Sequence, residues 1–201
     1  TPAASTKPLS RLREEPVAKC KFDYRRVIGK LNYLEKSSRP DLAYAVHQCA
    51  RFCSEPKEQH VKAVKHIAKY LKGTRDKGMF INPCPHKSFE VWVDADFAGN
   101  YNRITSQSDP STSKSRSGYV ITYAGCPIMW VSKLQTQIAL STCEAEYISL
   151  SQALRDTIPM MELMTELKDC GLGENYASPT IKCTVFKDNT GALALATTPK
   201  I

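Results

Sequence analysis

The spacing of apolar residues changes period near Gly78, and one type of secondary structure cannot serve both halves of the chain. Before that point Val27, Ile28, Leu31 and Leu34 recur at helical intervals through YRRVIGKLNYL. After it FEVWVDAD alternates Phe89, Val91 and Val93 with Glu90, Trp92 and Asp94, as a half-buried strand does. A helical segment followed by a region built on strands is the first expectation.

Residues 1–21 are rich in Pro, Lys, Ser and Ala without a period, and read as a linker or extended segment. The helical pattern starts at Phe22 and breaks at Ser-Ser-Arg-Pro, where Pro40 suits a first helical turn. A second helix is expected over about 40–53, with Leu42, Val46, Cys49 and Phe52 or Cys53 on one side. A third runs from near Pro56 to Gly73, its apolar face formed by Val61, Val64, Ile67, Ala68 and Leu71. Lys62, Lys65, Lys69 and Lys72 make a second stripe on that helix. The stripe could track phosphates or be a solvated face, and the spacing serves both readings.

Beyond Gly78, residues 100–117 read as a polar loop, and GYVITYA and CPIMWVSK as two strands joined by a tight turn around Gly125. With FEVWVDAD they suggest an antiparallel meander. A helix follows at STCEAEY, where Ser141 and Glu144 have the spacing of a capping box. Pro159 is expected to separate it from another helix over about 160–169. IKCTVFKD reads as a fourth strand, with a last helix beginning at TGALALA. The fold class is α/β or α+β.

The net charge of +8 is unevenly spread. Residues 1–78 hold 18 Lys/Arg against 8 Asp/Glu, and the remainder 10 against 12, so the basic excess belongs to the first part. A polyanion partner is the usual reason for such asymmetry, and a solvated basic face is the alternative. The eight cysteines include no Cys-x-x-Cys pair. His47, Cys49, Cys53 and His60 are the sharpest zinc candidates, but the pattern favours reduced cysteines inside apolar stripes. Neither an apolar run long enough to span a membrane nor a secretory signal is present, so an intracellular protein is expected.

Carboxylates stand where strands end and helices begin. Asp94 and Asp96 end the first strand, Glu146 lies in the first turn of the helix after the meander, and Asp188 ends the fourth strand. If those strands are neighbours, Asp94, Glu146 and Asp188 converge at one edge. Clustered carboxylates repel unless a cation neutralises them, and oxygen ligands favour a hard ion. That arrangement suits two-metal phosphodiester hydrolysis. Taken singly, each of these acids is more simply a turn or cap residue. Asp188-Asn189-Thr190-Gly191 misses the aspartic-protease motif by one residue, and no aromatic-x-Asp-Asp pair supplies a polymerase metal site.

YRRVIGKLNYL, SRPDLAYAVHQCARF and HVKAVKHIAKYLKGTRDKG resemble the thumb and connection segment of copia-type retrotransposon reverse transcriptases. VDADFAG, SRSGYVITYAGCPIMWVSKLQ, ALSTCEAEYISLSQALRD and DNTGALALA resemble the ribonuclease H domain that follows it. The blocks keep the family's order over roughly residues 22–199. The resemblance implies a helical connection segment over 22–78 and a ribonuclease H-like domain over 79–201. That domain would be a mixed sheet of three antiparallel strands plus a further strand, flanked by helices. It also implies magnesium or manganese dependence and cleavage of RNA within RNA–DNA hybrids. Asp94, Glu146 and Asp188 match the family's catalytic and metal-holding acids, while Glu144 and Asp96 are acids whose place at the metals the pattern leaves open. Lys114, Arg116 and Ser117 fall in the Lys/Arg-Ser-x-Ser-Gly stretch, where phosphate contact is expected.

Family members continue past the Ala-Leu-Ala region into another strand and a final helix with a fourth carboxylate. With the chain ending at Pro199-Lys200-Ile201, that ligand and helix are expected to be missing. A nuclease, or a truncated relic that binds nucleic acid or a partner chain without cutting, are the two functional expectations. The expected partners are the hybrid, the remainder of the polyprotein, and a second copy through the open sheet edge. The expected location is the cytoplasm, within virus-like particles, or the nucleus.

Overall fold

Asp23 opens the first helix: in the computed structural model, which describes residues 1–3, 9–11, 16–104, 106–172 and 181–198, its carboxylate accepts from the Arg26 N–H at 3.0 Å. One otherwise orphaned amide of the first turn is thereby satisfied. The chain divides into two units, Thr1–Met79 with Arg103–Thr112, and Phe80–Asn102 with Ser113–Ile201.

The first unit contains α1 (Tyr24–Ser37), a 3-10 turn at Pro40–Leu42, α2 (Ala43–Ala50) and α3 (Glu58–Gly73). The segment expected as one helix over 40–53 is thus a 3-10 turn leading into a shorter helix that ends at Ala50. Ile28, Leu42, Val46, Val64 and Ile67 are almost wholly buried in one cluster. Each contributes about 1.5–3 kcal/mol by leaving water. Ala68, expected on the apolar face of α3, is exposed.

Arg39 is buried at the break between α1 and α2. Its guanidinium donates to both carboxylate oxygens of Asp41, at 2.9 and 2.8 Å, and to the Thr74 carbonyl and hydroxyl beyond α3. Tyr70 donates to the same carboxylate at 2.8 Å. The Arg39 contact holds the Asp41 carboxyl below the usual carboxylate range. The described parts of 1–21 hold neither helix nor strand, while 4–8 and 12–15 lie outside the described residues. Leu9, Ala18 and Cys20 pack against the helical core, and the Ala18 N–H donates to the Pro56 carbonyl.

The second unit is a sheet with two helices. Strand β1 (Phe89–Asp96) pairs antiparallel with β2 (Arg116–Tyr123), which pairs antiparallel with β3 (Cys126–Leu134). Strand β4 (Cys183–Phe186) pairs parallel with the other side of β1, so the order is β3-β2-β1-β4. This is the mixed α/β sheet, three antiparallel strands plus a fourth, that the resemblance implies. The β2–β3 turn places Ala124 and Gly125 at φ +52° and +76°, the left-handed pair of a tight hairpin turn.

Helix α4 (Thr142–Asp169) lies on one face of the sheet, and α5 (Thr190–Thr197) follows β4. Phe89, Val91 and Val93 of β1, Tyr119 and Ile121 of β2, and Leu150 and Ala153 of α4 form the core. On the opposite face of β1, Trp92 and Phe186 stack at 4.1 Å and remain substantially exposed, as does Val120. Pro159 does not divide α4 as expected, because the helix runs continuously through it. The expected fourth strand 181–188 is shorter than its alternation, with ladder pairing only at Cys183–Phe186. Among the described residues no helix is long and apolar enough to cross a membrane.

Candidate metal centre

Parallel pairing decides where two of the three acids fall. Trp92 pairs with Phe186, so Asp94 and Asp188 each stand two residues beyond that pair in the same direction. Asp94 is held at the end of β1 by the Ser149 hydroxyl, which donates to its carbonyl at 2.8 Å. Its carboxylate accepts from the Ala95 N–H at 2.8 Å. Ser149 lies on α4, so the bond also ties that helix to the strand end.

Helix α4 delivers the third acid. Ser141 caps it by accepting from the Glu144 N–H at 3.1 Å, and Glu144 accepts from the Leu140 N–H at 2.7 Å. The expected capping box is thus formed on the serine side, with Glu144 reaching one residue further back. That use keeps Glu144 out of the acid cluster. One turn into the helix, Glu146 is buried with 7% of its surface exposed. Asp188 precedes Asn189, which caps α5 by accepting from the Ala192 N–H at 2.9 Å.

The carboxylate oxygens of Asp94, Glu146 and Asp188 lie within 4.8 Å of one another. They are the one such potential metal-binding group among the described residues. Asp96 stands apart, its carboxylate folded over Gly99, where an added Cβ would meet it at 2.0 Å. Burial raises the Glu146 carboxyl above its ordinary range, and repulsion from Asp94 and Asp188 adds to this. An all-oxygen, multiply anionic donor set suits a hard divalent cation such as magnesium or manganese.

Among these acids stands a residue that the sequence reading misses, Lys187. Its side chain is 1% exposed, and its ammonium donates to Glu146 and to the Val93 carbonyl at 3.2 Å, with Asp188 at 3.5 Å. The sequence does carry a signal for it. Ile181, Cys183 and Val185 are the inward positions of the fourth strand, and Lys187 continues their parity. A cation at an inward strand position faces the helix that covers the sheet, and here it meets Glu146 of α4.

The basic residues separate into two groups. Lys62, Lys65, Lys69 and Lys72 are all exposed along α3. Lys114 is partly exposed. Arg116 and Ser117, expected at phosphates, are buried instead. Arg116 donates to the Ser132 carbonyl at 3.3 Å, and Ser117 accepts from Gln135 at 3.1 Å. Gln135 also donates to the Ala145 carbonyl at 2.8 Å, joining the ends of β2 and β3 to the start of α4. Ser117 is thus linked through Gln135 to the residue before Glu146, while Arg116 bonds to β3.

The zinc candidates form no ligand group. His60 uses both ring nitrogens, accepting from the Lys57 N–H at 2.9 Å and lying 3.0 Å from the Ser10 carbonyl. All eight cysteines are free thiols.

The chain is similar to retrotransposon proteins. It is 33% identical over 177 residues to the retrovirus-related Pol polyprotein from transposon RE1 of Arabidopsis thaliana, covering 88% of this chain and 11% of that protein. It is 37% identical over 155 residues to the Pol polyprotein from transposon TNT 1-94 of Nicotiana tabacum, covering 77% and 11%. The chain therefore spans about a tenth of these polyproteins. Secreted RxLR effector protein 161 of Plasmopara viticola is 33% identical over 135 residues, 67% of this chain and 89% of that protein. No family model and no solved structure matches.

Proposed function

Because this chain belongs to the copia-type retrovirus-related Pol polyproteins, we propose that its sheet unit is the ribonuclease H-like nuclease of such a polyprotein, cutting the RNA strand of RNA–DNA hybrids. The convergence of Asp94, Glu146 and Asp188 from the ends of β1 and β4 and the first turns of α4 carries this reading. These three residues would hold magnesium or manganese. When bound, such ions activate water and neutralise charge developing on the phosphate.

The chain's own residues do the positioning. Ser149 fixes the end of β1 against α4, so Asp94 and Glu146 keep their separation without relying on a loop. Gln135 holds the first turn of α4 through the Ala145 carbonyl, next to Glu146. The α3 lysines and Lys114 would meet phosphates, which supply affinity without sequence preference. As part of a polyprotein, the unit would work beside the reverse transcriptase in the cytoplasm, within virus-like particles, or in the nucleus. A second copy pairing along β3 or β4, the outer strands among the described residues, would be a further partner.

Incubation of the chain with labelled RNA–DNA hybrid and magnesium or manganese tests the proposal, with Asp94→Asn as the control. Cleavage that the variant loses by at least a hundredfold is expected. Cleavage that survives in the variant, or none by the parent chain, overturns it. Lys187 favours a second reading, a relic that binds hybrid without cutting, since an ammonium already partners Glu146. Salt-sensitive binding without cleavage would support that reading.

A further inference from the structure

We infer that Lys187 is a tethered cation competing with divalent metal for Glu146 and Asp188, and so sets the metal affinity of this centre. The inference rests on the reading of the acid cluster as a metal site, and deepens it. The Lys187 side chain is 1% exposed, and its ammonium lies against Glu146, 3.5 Å from an Asp188 oxygen and 3.2 Å from the Val93 carbonyl. Glu146 is itself nearly buried.

Two of the three acids that would ligate metal therefore have an internal counter-ion. A divalent ion taking the same oxygens must displace the ammonium or share anionic oxygens with it at short range. In a partly buried site that repulsion is screened far less than in water. Asp188, whose side chain is 82% exposed, is the open side from which an ion would enter. The ammonium is directed at Glu146, Asp188 and the Val93 carbonyl, so Asp94 is the acid whose metal contact the lysine obstructs least. The arrangement follows from strand parity: an uncharged residue at position 187 would leave three carboxylates without this partner.

Manganese binding, measured by electron paramagnetic resonance and by calorimetry on the whole chain, separates the outcomes without using cleavage. Lys187→Met keeps the aliphatic stem and removes the charge, and Lys187→Gln keeps a donor for Glu146 should the methionine variant fail to fold. Weak binding by the parent and binding at least tenfold tighter by either variant is expected, with the gain lost when Asp94→Asn is added. Equal Asp94-dependent affinity in parent and variants overturns the competition while leaving the metal site standing. Absence of Asp94-dependent manganese binding in all of them overturns the metal site and the competition together.

Discussion

His60 carries two contacts whose roles are decided by its tautomer. Nδ1 accepts from the Lys57 N–H, so in the neutral ring Nε2 carries the proton and donates to the Ser10 carbonyl. The ring is wholly buried and stacks on Phe52 with centroids 3.9 Å apart. Protonation would put a second donor against the Lys57 N–H, and burial already holds the imidazole below its ordinary pKa. The unfolded chain then takes up this proton first as pH falls through about 6.5. Stability is present above that pH and declines below it, because the unfolded state binds more protons. Urea unfolding at pH 7.5, 6.5 and 5.5 should show a loss approaching 1.4 kcal/mol per pH unit from this residue at most. His60→Gln should flatten the trend, and an unchanged slope would count against a buried neutral ring. Lys187 teaches a related lesson about legibility. Its parity is visible in IKCTVFKD, but the aspartate beside it draws the functional reading and the inward lysine passes for a solvated charge.

Pro159 shows where element-scale reading from sequence stops. A proline removes one helical donor and crowds the carbonyl four residues back, here Arg155, at a cost near 3 kcal/mol. Local rules therefore place a boundary there. The structure keeps the helix whole because residues on both sides serve one core: Leu150, Ala153 and Leu154 before the proline, Met160, Met161 and Met164 after it. Tertiary burial outweighs the local penalty, and burial against a distant strand cannot be read from the helix alone. Pro159→Ala restores the donor to the Arg155 carbonyl and should stabilise the sheet unit by about 1–3 kcal/mol. The midpoint of a thermal melt followed by circular dichroism should rise by several degrees, and a fall would show that the proline is packed into its site. The strands of the meander were legible because alternation is set by burial on one face, as at Phe89, Val91 and Val93. The capping serine was legible too, since Ser141 acts on an amide three residues away. The pairing of β4 with β1 was not, because parallel register links residues more than ninety positions apart. That pairing is what brings Asp188 to Asp94.

At the scale of the whole molecule the charge asymmetry acquires a place. The basic excess of residues 1–78 includes Lys62, Lys65, Lys69 and Lys72, all exposed on α3 while Val61, Val64 and Ile67 are buried. At about 100° per residue, the four lysines fall within a sector of roughly 80° that adjoins the buried face on its Val61 side. Sequence spacing left two readings of this stripe, a phosphate track and a solvated face, and exposure is common to both. Salt dependence separates them. Removing one lysine that neutralises a phosphate lowers the slope of log affinity against log salt by about 0.7–0.9, since one fewer counterion is released. Changing all four lysines to glutamine should therefore lower the slope for RNA–DNA hybrid by as much as about 3, and weaken binding equally for hybrids of different sequence. Fluorescence anisotropy between about 50 and 200 mM salt, on the chain and the quadruple variant, makes the comparison. The variant should fold as the parent does, because none of the four side chains enters the helical core. An unchanged slope would assign the stripe to solvent and move the search for hybrid contacts to the sheet unit, where Lys114 keeps part of its surface exposed.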